Sequence, residues 1–521
     1  MDKAVYGNSD PVAAFATPLG ESALAIIRTS GTMAVDLTAT VFSQPEKLLN
    51  TAGNTVVHGW ILGPPANAAP RSKIDEVLIS VYRGPHSYTG EDGADISCHG
   101  GIAAAKAVMG ALKAAGFRDA LPGEFTFRAF MNGKLDLTRA ESVMEIVSAK
   151  TDLGREHAVG RLSGVLEQEI QAVKELLVQV LAETELYLDY SEEEAAPPHD
   201  RVCTAHAVND EEKGRLPGRA LAEAALTRLR VLSVSYRRER LYQDGALVVI
   251  AGRPNAGKSS LFNLLVKEER SIVTDIPGTT RDWIESWIVI EGIPIRLADT
   301  AGLRGVPEQT NTVDLVEQIG IRRSRELLAQ ADLVLYMIDG SAGITVEDQT
   351  FFRDYPETAA TGKREGPAII TVWNKVDIAA DLLSADRRSA DRRSTDRRSA
   401  ASCGEHLTGI SCKTNTGIPA LTAAIASALS DRWSAENGQY EHSRNTAGRS
   451  GAAPGTARQK ELIDAAASAV QEALALAEKG EPLDLIAPLL REGVNSLGEI
   501  TGEVSTADIL DAMFSTFCVG K

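Results

Sequence analysis

The stretch Gly252-Arg-Pro-Asn-Ala-Gly257-Lys258-Ser259 decides how the middle of the chain folds. It matches the phosphate-loop pattern G-x-x-x-x-G-K-[ST], follows the apolar run 246–250 and precedes a helical pattern that begins at Ser260. In such a loop the backbone N–H groups surround phosphates, Lys258 reaches the terminal phosphates as a catalytic contact, and Ser259 ligates Mg²⁺. The order of strand, loop and helix therefore predicts a nucleotide-binding α/β domain.

Two motifs that hold the terminal phosphates and Mg²⁺ follow in the required order. Asp299-Thr-Ala-Gly302 supplies a carboxylate for the Mg²⁺ shell and a glycine N–H for the γ-phosphate. Thr279 and Thr280 are candidates for the switch threonine that closes on Mg²⁺ when the γ-phosphate is present.

Two more motifs are expected to recognise the base. Asn374-Lys-Val-Asp377 ends a predicted strand, where the Asp377 carboxylate can accept two hydrogen bonds from guanine that adenine cannot donate. Ser411-Cys-Lys413 lies where a base-contacting loop is expected. The motifs together predict GTP rather than ATP as the ligand. The predicted GTP contacts are Asn255, Ala256, Gly257, Lys258, Ser259, Ser260, Thr274, Asp275, Ile276, Pro277, Gly278, Thr279, Thr280, Asp299, Thr300, Ala301, Gly302, Asn374, Lys375, Asp377, Ser411, Cys412 and Lys413.

The residues alone leave the arrangement for hydrolysis open. Many small GTPases orient the attacking water with a glutamine, but Leu303 stands at that position. The nearby acids are Glu308, Asp314 and Glu317, and the candidate arginine fingers are Arg281 and Arg304. Asn255 offers a neutral oxygen that suits a monovalent cation, although it can equally stabilise the loop itself.

Patterns along the chain predict four parts. Residues 1–135 mix strand patterns (23–27 and 76–82) with a helix over 102–115, which indicates an α+β domain. Residues 136–243 are helical, with a longer apolar stripe after Gly160. Residues 244–430 alternate strands and helices, which favours βαβ units and a parallel sheet, and 431–521 return to a helical pattern. We expect one helical domain built from both flanks, with the phosphate-loop domain inserted between them.

Composition sets limits on the partners. The 521 residues carry a net charge of −17, so any nucleic-acid contact is expected to be local or assisted by a partner. The five cysteines (Cys98, Cys203, Cys403, Cys412 and Cys518) lack metal-site spacing, which fits free thiols in a reducing compartment. Without a signal-peptide pattern or an apolar run of about 18 residues, we expect a cytoplasmic protein. The charged repeat over 384–400 is interpreted as a solvated loop, with RNA binding through its six arginines as the alternative.

The sequence resembles the bacterial tRNA-modification GTPase family MnmE, also called TrmE, over nearly its whole length. The matching segments are Ala16–Pro18, Ile26–Gly31, Ser87–Asp92, His99–Gly101, Pro122–Asp136, Gly252–Ser260, Thr274–Asp282, Asp299–Arg304 and Phe517–Lys521. The resemblance implies a phosphate-loop GTPase domain inserted in an all-α domain. It also implies an N-terminal α+β domain that binds a tetrahydrofolate one-carbon donor, 5,10-methylene- or 5-formyltetrahydrofolate, and mediates homodimerisation.

The same resemblance implies partners and chemistry. A flavoprotein partner, MnmG (GidA), forms a heterotetramer with the family's members, and together they modify C5 of the wobble uridine in certain tRNAs. Hydrolysis in the family depends on K⁺ and on pairing of two GTPase domains. A regulatory or ribosome-assembly GTPase that acts by binding alone is the alternative, but it leaves the N-terminal motifs and the Cys-Val-Gly-Lys tail unexplained.

Residue by residue, the resemblance assigns roles as follows. Glu317 matches the catalytic glutamate, which selects it from the three acids, and Asp95 replaces a longer glutamate at the pterin contact. Cys412 replaces a common alanine in the base loop, and Cys518 is either a nucleophilic or redox-active thiol or a packed, inert one. The K⁺ ligands are Asn255, Thr274, Ile276 and Thr279; the Mg²⁺ ligands are Ser259 and Thr280; and the folate contacts are Arg28, Asp95, Lys134 and Lys521.

Overall fold

The computed structural model describes residues 10–64, 70–189, 216–268, 285–299, 326–355, 366–378, 407–434, 451–504 and 507–520. These residues divide into two compact units. The first is drawn from 1–147, 159–230 and 457–521, and the second from 148–158 and 231–456.

The first unit contains a six-stranded sheet with helices beside it. The strands are β1 (Val12–Phe15), β2 (Leu24–Ser30), β3 (Thr55–Leu62), β4 (Lys73–Tyr82), β5 (Gly93–His99) and β6 (Arg118–Asp119). The helices are α1 (Ala34–Thr40), α2 (Pro45–Leu49), α3 (Ile102–Ala115) and α4 (Glu124–Met131). The strand order is β3-β4-β5-β2-β1-β6, antiparallel except for the short β1–β6 pair.

Alternation along β4 explains which face of this sheet is covered. Asp75, Val77, Ile79 and Val81 are buried, while the residues between them are partly or fully exposed. Successive side chains of a strand point to opposite faces, so one face packs on α3 and the other stays open. The predicted α3 is confirmed with the same bounds, and it ends at Gly116, whose φ of +119° suits the left-handed position after a helix.

The helical part of the first unit combines segments from before and after the second unit. The helices that lie wholly or partly in it are α5 (Leu137–Ser148), α6 (Asp152–Leu162), α7 (Val165–Asp189), α8 (Arg219–Gln243), α12 (Ala457–Glu478), α13 (Leu483–Thr501) and α14 (Ala507–Phe514). The apolar stripe predicted after Gly160 covers the end of α6 and much of α7, and these two helices are separated at Gly164. Gly164 has a φ of +90°, and a Cβ there would lie 2.2 Å from Arg139 Nη2, so this position favours glycine.

The second unit contains a six-stranded, mostly parallel sheet. Its strands are β7 (Ala246–Gly252), β8 (Glu285–Ile290), β9 (Ile293–Asp299), β10 (Leu333–Asp339), β11 (Ala368–Asn374) and β12 (Leu407–Gly409). Its helices include α9 (Lys258–Glu268), α10 (Val346–Asp354) and α11 (Ile418–Ser434). The order is β12-β11-β10-β7-β9-β8, and the predicted parallel sheet is confirmed except at the edge, where β8 runs antiparallel to β9.

The C-terminal segment packs into the first unit near its N-terminal sheet. The rings of Phe127 and Phe514 meet edge to face at 5.3 Å, and Phe517 joins the same apolar cluster. The Gly123 N–H donates to the Cys518 carbonyl at 3.3 Å. A Cβ on Gly123 would lie 2.7 Å from the Phe514 carbonyl oxygen, so glycine permits this close approach.

A buried ion cluster fixes α4 to the end of the sheet. The Glu124 side chain is fully buried and accepts hydrogen bonds from Arg118 Nη2 at 2.6 Å and Arg128 Nη2 at 2.7 Å. Arg128 also donates from Nη1 to Glu91 Oε2 at 2.9 Å. Burial raises the pKa of Glu124, but hydrogen bonds from Arg118, the Leu121 N–H and Arg128 outweigh it and lower the pKa below its ordinary value.

None of the helices in the described ranges combines the length and apolar character needed to cross a membrane.

Glu124→Gln is expected to destabilise the first unit by about 3 kcal/mol at neutral pH, because the buried Arg128 loses one of its two described carboxylate partners and keeps Glu91. The folded-state pKa of Glu124 lies below the ordinary value of 4.5, so its stabilisation is present above that value and is lost as the pH falls. The difference in melting temperature between wild type and variant, measured by calorimetry, should therefore be large at pH 7 and shrink towards acidic pH.

Glu21→Gln, which alters an exposed carboxylate of the same unit, is the matched control. An equal loss of melting temperature at pH 7 and at about pH 3 would exclude the Glu124 charge as the source.

Candidate nucleotide site and N-terminal cavity

The phosphate loop connects the end of β7 to the start of α9. Gly252 has a φ of +136° and Gly257 a φ of +101°. A Cβ on Gly252 would lie 2.4 Å from the Met337 carbonyl oxygen, and one on Gly257 would lie 2.1 Å from Asn374 Nδ2. Both glycines of the motif are thus required by close contacts as well as by their backbone conformation.

Lys258 and Ser259 begin α9, at the end of the helix that carries partial positive charge. Lys258 Nζ donates to the carbonyls of Gly252 at 2.9 Å and Arg253 at 2.8 Å. Ser259 Oγ donates to Asp299 Oδ2 at 2.8 Å, and Asp299 is buried at the end of β9. Adjacent hydroxyl and carboxylate oxygens are ligands that Mg²⁺ prefers, so these two residues fit the predicted metal position.

Asn374 links the phosphate loop to the predicted base loop. Its Nδ2 donates to the Ala256 carbonyl at 2.9 Å, and its Oδ1 accepts from the Cys412 N–H at 3.2 Å. The side chain is 3% exposed, so neither hydrogen bond competes with bulk water. One asparagine therefore ties together two loops that are far apart in the sequence.

The remaining residues of the Asn374–Asp377 motif face a more open region. Asp377 is exposed, and Lys375 Nζ donates to Asp339 Oδ2 at 2.6 Å. Burial raises the pKa of Asp339, but hydrogen bonds from Lys375 and Ser341 outweigh it and hold that pKa below its ordinary value. The Asp377 carboxylate is exposed, so a ligand's donors can reach it.

The predicted base loop is well packed. Ser411 is 1% exposed, and its N–H donates to the Thr416 carbonyl at 3.0 Å. Burial raises the pKa of Cys412 to about 11, so its thiol stays neutral and packs against the core of the second unit.

Asn255 has a φ of +62°, a left-handed conformation that asparagine adopts more readily than most residues. Its side chain is exposed at the rim of the phosphate loop. Several predicted site residues lie outside the described residues: Thr274, Asp275, Ile276, Pro277, Gly278, Thr279, Thr280, Thr300, Ala301, Gly302, Glu317 and Lys521. The alternatives Arg281, Arg304, Glu308 and Asp314, and the repeat over 384–400, also lie outside them.

The first unit contains a cavity of about 490 Å³ between the open face of its sheet and the helical residues Val143 and Ile146. Its wall includes Arg28 and Asp95 from neighbouring strands. Arg28 Nε lies 3.0 Å from Asp95 Oδ1, and Nη2 lies 3.2 Å from Oδ2, so the pair is bidentate. Burial lowers the pKa of Arg28, but the Asp95 hydrogen bond and charge outweigh it and raise that pKa further.

Aromatic and acidic side chains that the sequence did not single out complete the wall of the cavity. Tyr82, Tyr88 and Phe125 lie beside Arg28, and Glu91 adds a second carboxylate. Glu91 Oε2 accepts hydrogen bonds from Ser30 Oγ at 2.8 Å and from a buried arginine of α4. Tyr88 and Glu91 belong to the matched motif Ser87–Asp92, which was the available clue to their role.

The other predicted folate contacts are not part of the described lining of the cavity. Lys134 Nζ donates to the Pro85 carbonyl at 2.8 Å, and the described lining of the cavity does not include Lys134. The backbone carbonyl of Gly520 accepts from Arg28 Nη1 at 3.4 Å, which brings the C-terminal segment to this arginine.

Cys518 is exposed, so the packed-thiol alternative is wrong for this residue. Cys98 is the buried thiol of this unit, and burial raises its pKa to about 11. A neutral, enclosed thiol packs as an apolar side chain, which leaves Cys518 as the accessible thiol of the unit among the described residues.

Family models match both units. The model of the MnmE helical domain matches residues 137–518, and that of the GTP-binding protein TrmE N-terminus matches residues 11–134. The tRNA modification GTPase MnmE of Treponema denticola is 40% identical over 524 residues, which covers 99% of each chain. That of Symbiobacterium thermophilum is 38% identical over 517 residues, covering 98% of this chain and 99% of the relative.

The solved G domain of the T. maritima FeoB iron transporter is 22% identical and covers 35% of this chain and 98% of its own, with a TM-score of 0.24. That similarity is too slight to support any functional comparison. The family models and the full-length relatives, by contrast, cover the parts of the chain that contain the phosphate loop, the base loop and the N-terminal motifs. The chain therefore belongs to the MnmE family of tRNA modification GTPases, and it is a GTP hydrolase that takes part in tRNA modification.

Proposed function

We propose that this GTPase hydrolyses GTP in a K⁺-dependent manner and, with a flavoprotein partner of the MnmG type, modifies C5 of the wobble uridine in certain tRNAs. A tetrahydrofolate supplies the one-carbon unit that enters an aminomethyl-type group. Residues 1–135 bind the folate and mediate homodimerisation, residues 244–430 bind GTP, and 136–243 with 431–521 form the helical domain. The cavity at Arg28 and Asp95 carries this proposal.

The size and chemistry of the cavity support a folate ligand. A volume of about 490 Å³ lies within the usual range for small-molecule sites. A pterin presents a ring N–H beside an amino group, and a carboxylate such as that of Asp95 accepts such a pair through both oxygens. Phe125 and Tyr88 offer flat apolar faces for the fused ring.

Asp95 is held in place by its own partner. Arg28 contacts both Asp95 oxygens, so the carboxylate keeps its orientation within the cavity. The shorter side chain places the carboxylate one methylene closer to the strand than a glutamate would, and the bidentate arginine fixes it there. Binding a pterin at Asp95 requires the free lone pairs that a bidentate arginine leaves on each oxygen.

The described part of the nucleotide site supports positioning of the phosphates. Lys258 Nζ, which contacts two loop carbonyls, transfers to the β- and γ-phosphate oxygens when GTP enters. Ser259 and Asp299 hold oxygen ligands 2.8 Å apart at the carboxyl end of β9. Mg²⁺ bound there would neutralise charge that develops on the phosphates during hydrolysis.

Asn255 supports the K⁺ part of the proposal. Its backbone is left-handed and the residue is exposed, so its neutral amide oxygen is accessible to a cation. The proposal adds Thr274, Ile276 and Thr279 as further K⁺ ligands, Thr280 as a second Mg²⁺ ligand, and Glu317 as the residue that orients water.

The open face of the N-terminal sheet supports homodimerisation. Leu24, Val56 and Leu78 lie on this face and are 59%, 62% and 49% exposed. Exposed apolar side chains that share one sheet face with polar ones are compatible with a protein interface. Strand pairing brings Leu78 next to Ser97, and Leu24 next to His99, so the apolar positions alternate with polar ones across the face.

Folate binding is tested by titrating the full-length protein with 5-formyltetrahydrofolate. Saturable binding is expected for the wild type, and Asp95→Asn should weaken it roughly tenfold because one oxygen acceptor becomes an N–H donor. Arg71→Gln, an arginine of the same unit outside the cavity lining, should leave affinity unchanged.

The same variants are then expressed in cells that lack the gene, and the tRNA nucleosides are analysed. Normal wobble-uridine modification in cells without the protein would exclude the modification proposal. Normal modification in cells that carry Asp95→Asn, despite weakened folate binding, would exclude this cavity as the one-carbon site.

GTP turnover should fall roughly tenfold or more when Na⁺ replaces K⁺ at constant ionic strength, because the smaller ion fits the amide and carbonyl ligands poorly. Steady-state phosphate release measures this. Asn255→Ala should reduce turnover in K⁺ to about the Na⁺ level, and equal wild-type rates in the two salts would remove K⁺ from the mechanism.

Asp377→Asn should weaken GTP binding about tenfold or more and strengthen binding of xanthosine triphosphate, whose base carries an oxygen where guanine carries the amino group. Competition against a fluorescent nucleotide measures both affinities. An unchanged preference for GTP would show that the base is recognised elsewhere.

A further inference from the structure

Arg253, the second residue of the phosphate loop, lies beside a carboxylate that is fully buried. Its Nε is 3.3 Å from Oδ2 of Asp348, which has no exposed surface; the contact is an ion pair without hydrogen-bond geometry. Asp348 belongs to the first turn of α10, in a part of the sequence that none of the nucleotide motifs includes. A buried carboxylate next to this loop needs a physical explanation, because burying a charge is costly unless it is paired.

Neutral donors hold the Asp348 carboxylate in one orientation. Tyr336 Oη donates to Oδ1 at 2.9 Å, and both the N–H and the hydroxyl of Thr345 donate to Oδ2 at 2.9 Å. The Thr345 contacts form a reciprocal capping box at the start of α10. Burial and the Asp348 hydrogen bond raise the pKa of Tyr336, so its hydroxyl remains a donor. The carboxylate is thus fixed before any contact with Arg253 is considered.

Arg253 also contacts Lys258 and the loop before α10. The Arg253 carbonyl accepts from Lys258 Nζ at 2.8 Å, and its guanidinium Nη2 reaches the Gly343 carbonyl at 3.5 Å. The side chain is 25% exposed, so most of it is packed rather than solvated. A single residue therefore joins α10 and the preceding loop to the part of the phosphate-loop backbone that Lys258 contacts.

We propose that Asp348 and Arg253 form a positioning pair that holds the phosphate loop in its binding conformation. Fixing the loop in advance reduces the conformational entropy that nucleotide binding must otherwise remove. The arginine also neutralises the Asp348 carboxylate, which would repel the phosphates if left uncompensated. Arg253 and Asp348 act through the loop and are positioning residues rather than catalytic ones.

This inference rests on the proposed nucleotide site, and the two can fail separately. Lys258→Ala tests the site itself: loss of GTP binding is expected, and wild-type affinity would show that the phosphates bind elsewhere. If Lys258→Ala loses GTP binding as expected, the positioning pair is then tested with variants that keep Lys258.

The full-length variants Arg253→Ala, Arg253→Lys, Asp348→Asn and the double variant Arg253→Ala/Asp348→Asn are compared with wild type. Fluorescent GDP gives Kd, phosphate release gives kcat and KM, and calorimetry gives Tm. Arg253→Ala should raise Kd and KM about tenfold with kcat within about twofold, and Arg253→Lys should recover part of the loss through its charge. Asp354→Asn, an exposed carboxylate at the other end of α10, is the matched control and should change none of these values.

A double-mutant cycle decides whether the residues act as a pair. The Kd of the double variant should be no higher than the Kd of the single variant that binds nucleotide more weakly. If the two single losses of binding free energy instead add up in the double variant, the residues do not act as a pair. If Asp348→Asn lowers Tm so far that it cannot be assayed, the Arg253 variants decide alone. Wild-type Kd in Arg253→Ala, or equal losses in Arg253→Ala and Arg253→Lys, would overturn the proposal.

Discussion

The nucleotide site depends on the parallel register of four neighbouring strands. Ile250 of β7 pairs with Asp299 of β9, and Asp339 of β10 pairs with Asn374 of β11. Parallel strands end at a common edge, so this register brings the phosphate loop, the Asp299 carboxylate and the Asn374 amide to one place. A slip of one residue would turn each of these side chains to the other face of the sheet.

Much of that edge could be predicted because its chemistry is local. The phosphate loop, its glycines and the following helix are contiguous, so the pattern from Gly252 to Ser259 specifies both backbone and function. The bridge from Asn374 to Ala256 and Cys412 could not be predicted, since its two partners lie 118 and 38 residues away in the sequence. The antiparallel β8 was missed because the half-buried residues of an edge strand give a weak apolar pattern.

At the N-terminal cavity, too, individual residues could be predicted from local motifs, but their contacts across the sheet could not. Arg28 and Asp95 were each expected near the ligand, but their bidentate contact follows from pairing of β2 with β5, which no local pattern reveals. Lys134 was expected to contact folate because it belongs to a matched motif, and in the structure its ammonium donates to the Pro85 carbonyl.

Internal pairing of arginines bears on how an acidic chain takes part in tRNA modification. Arg28, Arg118 and Arg128 donate to Asp95, Glu124 and Glu91, and Arg161 is fully buried against Glu145. These cations are committed to neighbouring carboxylates and contribute little attraction to a polyanion. Any attraction of this chain to a polyanion therefore depends on cations outside these pairs.

The packing of Phe514 and Phe517 beside Gly123 has a consequence for the order of events during synthesis. Gly123 leaves the ribosome about 390 residues before its aromatic neighbours, an interval of roughly 20 to 80 seconds at usual elongation rates. Throughout that interval the apolar surface of Phe127 and Leu137 lacks its covering side chains. The N-terminal sheet can form early, but this cluster closes only after the inserted GTPase segment has been translated, so nascent chains expose a site that chaperones can bind.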